Sequence, residues 1–86
     1  MKSDKELLAS LSRHLRNSGR TARRSFEAIT LQAPLPEFDG PAEIGRAVEL
    51  AEAKWFVDRV VRSEGTIGPK WTFDLTGRGA EALDLD

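Results

Sequence analysis

The 86 residues are 40% hydrophobic and 31% charged, enough for one globular domain over residues 1–86 and too few for a second, catalytic one. There is no cysteine and only one histidine, so disulfides and thiolate metal ligands are excluded and a small core must hold without staples, which makes homodimerisation an expectation. The net charge of −1 hides an asymmetry: residues 1–30 carry seven Lys/Arg against three acids, and the remainder six against eleven, so the overall balance names no partner.

In chain order, Ser3 followed by Glu6 is a capping-box pattern, and Leu7, Leu8, Leu11 and Leu15 recur at helical spacing, which predicts a helix from about 4 to 17. Asn17-Ser18-Gly19 supplies its stop, with Arg13 and Arg16 in the last turn where positive charge suits the helix dipole. Met1-Lys2-Ser3-Asp4 lacks the apolar run of a signal peptide, and no stretch approaches a membrane span, so the expectation is a cytoplasmic protein without membrane contact. Residues 21–32 read two ways: Ala22, Phe26, Ile29 and Ala33 fit a helix, while Ile29, Leu31 and Ala33 fit a strand. A second helix is the favoured reading.

Residues 33–41 hold three prolines and Gly40 and must be a turn-rich connector, burying Leu35 and Phe38. From Pro41 a helix is expected to about Lys54, with Ile44, Ala47, Val48, Leu50, Ala51 and Trp55 on one side. Its other side shows Ala42, Gly45, Arg46, Glu49, Glu52 and Ala53. Residues 56–62 are β-branched and aromatic, and Trp71, Phe73 and Leu75 alternate with Lys70, Thr72 and Asp74, which predicts two strands joined as a hairpin by residues 63–69. Thr76 caps a last short helix reaching Leu83. The expected core is Leu7, Leu8, Leu11, Leu15, Phe26, Ile29, Ile44, Val48, Ala51, Trp55, Val60, Trp71, Phe73, Leu75 and Leu83.

Two motifs carry a resemblance. Winged-helix proteins often end the third helix in Leu-x-x-x-Gly-Leu-Ile, and Leu50-Ala51-Glu52-Ala53-Lys54-Trp55-Phe56 stands in that place; Lys54 replaces the glycine, which implies a strained or differently shaped helix end. Leu75-Thr76-Gly77-Arg78-Gly79-Ala80-Glu81-Ala82-Leu83 looks like the Leu-Thr-x-x-Gly-x-x-x-Leu ending that follows the last wing strand. With Glu37-Phe38-Asp39-Gly40, these make residues 1–18 and 35–85 similar to short winged-helix proteins of phages and prophages. The resemblance implies an α+β, mostly α fold: three N-terminal helices, a two-stranded wing hairpin and a short C-terminal helix. It implies no particular activity.

For chemistry the chain offers little. His14, the only histidine, cannot build a metal site without converging ligands, and its expected role is packing at the core edge. No nucleophile elbow supports a Ser-His-Asp arrangement, and Gly77-Arg78-Gly79 lacks the length and lysine of a P-loop, so no enzyme activity, metal or cofactor is expected.

Two partner classes remain. For duplex DNA, Arg46 would touch bases while Arg59, Arg62 and Lys70 from the hairpin, with Arg20, Arg23 and Arg24, hold phosphates, which makes a DNA-binding transcriptional regulator the leading expectation. Against it, Glu43, Glu49 and Glu52 on the same helix repel phosphate. The alternative is a phage-encoded inhibitor that uses those carboxylates to bind the basic surface of a host defence protein complex.

Overall fold

The computed structural model describes residues 2–18 and 28–85. In chain order it forms α1 (Asp4–Asn17), β1 (Ala28–Gln32), α2 (Pro41–Ala53), β2 (Val57–Glu64), β3 (Pro69–Leu75) and α3 (Gly77–Ala82). The three strands make one antiparallel sheet in the order β1-β3-β2.

The start of α1 follows from its capping box. Ser3 Oγ accepts from the Glu6 N–H and the Glu6 carboxylate accepts from the Ser3 N–H, so two of the helix's orphan donors are satisfied reciprocally. Leu7, Leu11 and Leu15 then fall on one buried stripe, and Leu8 packs at its edge. At α2 the stripe is Ile44, Ala47, Val48 and Ala51, opened by Pro41, whose missing N–H is an orphan position anyway.

The expected three N-terminal helices and two-stranded wing are corrected here. Among the described residues, two helices precede the hairpin, and residues 28–32 of the expected second helix are a strand that completes a three-stranded sheet. Period-two alternation wins because it places Ile29 opposite Phe73 and Leu31 opposite Trp71, burying all four on the helix-side face. Residues 21–27 of that reading, with Phe26, lie outside the described residues.

The sheet buries one face. Ile29, Leu31, Val57, Trp71, Phe73 and Leu75 point toward the helices, while Thr30, Val61 and Ser63 are exposed on the other side. Between Asp58, which pairs Asp74, and Val61, which pairs Thr72, the ladder slips by one residue. Arg59 and Val60 therefore stand opposite Phe73 in a β-bulge, with Arg59 at φ 54°. The bulge reverses the alternation of β2, so Val61 is turned outward and Arg62 is brought to the helix side.

The end of α2 holds the second correction. Lys54 has φ −94°, and Trp55 is the residue that takes the left-handed conformation, at φ 63°. The Trp55 N–H bonds to the Glu52 carbonyl at 3.0 Å and the Phe56 N–H to the Ala51 carbonyl at 2.9 Å, the two bonds of a Schellman cap with tryptophan where glycine normally stands. Trp55, expected in the core, is 68% exposed, because the helix stops before the residue that periodicity would have buried. Val60 and Leu8 are half-buried against the core.

Helix α3 locks this turn. The Thr76 hydroxyl lies 2.7 Å from the Trp55 carbonyl oxygen and 2.9 Å from that of Phe56, and it accepts from the Gly79 N–H. A Cβ on Gly79 would fall 1.9 Å from the Phe56 carbonyl oxygen, so only glycine lets the two backbones meet. Ser12 donates to the Leu83 carbonyl, which fastens α3 to α1. Among the described residues, no helix is long and apolar enough to cross a membrane.

Candidate nucleic-acid interface

A groove of about 370 Å³ runs between the first half of α2 and the tip of the hairpin, lined by Pro41, Ala42, Gly45, Arg46, Glu49, Arg62, Pro69 and Trp71. Its width is set by Gly45: a Cβ there would stand 3.1 Å from the Trp71 indole, so the helix and the sheet lie close. Arg46 and Arg62, both exposed, come from opposite walls. Arg62 faces Trp71 in the strand register, and its guanidinium carbon sits 5.8 Å from the indole centroid. Stacking of this kind holds a guanidinium in place while leaving its N–H groups available.

The other two hairpin cations named from sequence, Arg59 and Lys70, do not line this groove. Lys70 follows the outward alternation of β3 with Thr72 and Asp74, and Arg59 reaches Asp74 on that same outer face at 3.7 Å. The three hairpin cations are thus split across two faces, a consequence of the bulge that no alternation pattern displays. Arg20, Arg23 and Arg24 lie outside the described residues.

The acidic side of α2 is also divided. Glu43 is drawn to the N-terminus, where the Lys2 ammonium donates to its Oε1, and it also accepts from the Asp39 N–H at 3.1 Å. The Lys2 hydrogen bond, with the Asp39 N–H and the charges of Lys2 and Arg46, outweighs desolvation and holds the Glu43 carboxyl below its usual range. Glu49 lies in the groove beside the two arginines, and Glu52 is exposed further along the helix. The three carboxylates therefore do not act as one acidic face.

His14 has a partner that sequence reasoning missed. Its Nδ1 is 3.2 Å from Glu37 Oε2, and Asn17 donates to Glu37 Oε1 at 3.3 Å. Desolvation raises the Glu37 carboxyl, but its own backbone N–H, Asn17 and His14 overcome this and leave it below the usual carboxylate range. Lys2 also donates to the Glu37 carbonyl and lies 5.7 Å from the Phe38 ring centroid, so the connector that launches α2 is strapped to α1. The groove's helical wall is thereby positioned from below.

A second concavity, of about 630 Å³, was not anticipated. It lies at the other end of α2, lined by Ala53, Lys54, Trp55, Phe56, Arg78, Glu81 and Ala82. The substitution of Lys54 for glycine in the 50–56 motif was the available signal, although the strain falls on the next residue. No protein-family model, curated protein or solved structure matches this chain.

Proposed function

We propose that this protein binds duplex DNA through the groove between α2 and the hairpin and acts as a small transcriptional regulator of phage type. The observation that supports it is the convergence of Arg46 and Arg62 on one groove, one from each wall, with Arg62 ordered over Trp71. A guanidinium held over Trp71, joined by Arg46 from the facing helix, can clamp phosphate or a guanine edge, and the stacked one does so with less ordering cost than a free side chain. Glu49 sets a limit on affinity and, by accepting from a cytosine amino group, a source of base preference. Kinship with winged-helix domains is part of the proposal, supported by the motifs at residues 50–56 and 75–83. Arg20, Arg23 and Arg24 are assigned to phosphate on sequence grounds.

The rival reading, an inhibitor that docks on a host defence complex through Glu43, Glu49 and Glu52, is less well supported because Glu43 is already paired with Lys2. Fluorescence anisotropy against a pool of duplexes, over a range of salt, separates the two. Replacing Arg46 and Arg62 together by alanine is expected to weaken binding and to flatten the slope of log K against log salt by about 2, at roughly 0.9 per phosphate contact. Absence of salt-sensitive binding to any duplex sinks the DNA reading.

A further inference from the structure

A small domain with a modest core has placed its bulkiest apolar residue at the least hospitable backbone position available. Trp55 takes φ 63°, which an L-residue with a Cβ resists, and it gains no burial in return, being 68% exposed. The conformation is not slack. Two Schellman hydrogen bonds, the Thr76 hydroxyl and the close approach of Gly79 to the Phe56 carbonyl all fix the turn. Strain that the fold over-determines and does not use is a signature of a functional position.

The surroundings say what the indole meets. The groove beside Trp55 carries Lys54, Arg78 and Glu81 around an apolar floor. A second groove shares Phe56 and Ala82 with it and runs on over Leu8 and Ala9 of α1, flanked by Lys5 and Asp84. Each groove thus has an aromatic or aliphatic centre with charges of both signs at its rim. The rims carry Lys5, Lys54 and Arg78 against Glu81 and Asp84, and Asp84 already meets Arg16 at 3.4 Å. A partner of one charge sign would oppose either Arg78 or Glu81, whereas a two-fold symmetric contact with the same surface sets Arg78 of each copy against Glu81 of the other and leaves Lys5 and Lys54 at the solvated edge.

We propose that this face is the dimer interface of the protein, with the Trp55 indole of each copy buried against the other's groove and Arg78 of each copy paired with Glu81 of the other. The assignment stands apart from the DNA-binding reading, since the Arg46–Arg62 groove lies at the opposite end of α2. It also answers the shortage of core in an 86-residue chain without disulfides.

Sedimentation equilibrium over a wide concentration range tests it. The wild type is expected to rise from the 9.5 kDa chain mass to twice that value. W55A is expected to weaken self-association by about 30-fold or more, as loss of a central aromatic anchor does. W55G keeps the fold testable: measured where the wild type is monomeric, it should raise the thermal midpoint by a few degrees because the left-handed strain is relieved, while the dimer is lost. R78E and E81R should each weaken the dimer, and the R78E/E81R double variant should restore it, because reversing both signs preserves an isologous pair. A monomer at every concentration up to about millimolar, well above the standard affinity range of specific interfaces, overturns the proposal. So does a dimer that W55A leaves unchanged, a double variant no better than the single ones, or a Trp55 face that captures a different protein while the chain stays monomeric.

Discussion

At the first half of α2, Gly45 lets the helix lie directly on the indole of Trp71, which is 5% exposed and carries Arg62 over its face. At the last turn, the same helix ends in a tryptophan that is held out from the protein. One indole is structural and supports a charged groove; the other sits on a left-handed backbone and, among the described residues, stays largely exposed. The difference shows that hydrophobic spacing identifies a buried residue only while the helix that carries it continues.

The largest expected effect comes from removing the structural indole. Trp71→Ala deletes the side chain packed against Leu31, Gly45 and Arg62 and should cost about 3 to 5 kcal/mol in urea denaturation, with loss of the groove. Trp55→Ala, at concentrations where the protein is monomeric, should stay within about 0.5 kcal/mol of the wild type, as exposed positions do. Equal costs at the two sites would erase the contrast.

A smaller effect is expected where the second end is locked. Gly79→Ala sets a methyl against the Phe56 carbonyl and must push α3 off the Trp55 turn, at a cost of about 1 to 3 kcal/mol. Gly77→Ala meets nothing within 4 Å and should be neutral or stabilising by about 0.4 to 1 kcal/mol, because the unfolded chain loses freedom. Thermal unfolding of the pair checks whether contact, rather than the loss of a glycine, decides the outcome.

Much of this was legible in local pattern, and the failures have identifiable causes. The capping box and leucine spacing place α1 at 4–17, and Pro41 marks the start of α2, because both signals act within one or two turns. Local pattern does not decide β1, because Ile29 and Ala33 satisfy both periods; only pairing with Trp71 and Phe73, some forty residues away, chooses between them. The split of Arg59, Arg62 and Lys70 came from a bulge with a left-handed arginine, a residue type that gives no warning of one. Arg46 was correctly placed on the exposed side of α2, but its meeting with Arg62 depends on that bulge. Glu43 read as part of an acidic surface because its partner, Lys2, is 41 residues distant.

The smallest expected effect lies at the strap beneath the first end of α2. Glu37 is held below the ordinary carboxylate range, so its folded form gives up a proton more readily than its unfolded form. The stabilisation it supplies is therefore present above the unfolded pKa, near 4.3 for glutamate, and is lost as pH falls through the lower folded value. In Glu37→Gln the amide cannot titrate, so the gap in stability between wild type and variant should shrink as pH drops from about 5 to about 3. Its size at pH 5 should be under about 1 kcal/mol, the range of partly exposed pairs. Chemical denaturation of both proteins at several pH values measures the gap. A gap that stays constant across that interval would mean that Glu37 contributes by packing and hydrogen bonding alone, and that the strap holding α2 to α1 carries no charge dependence.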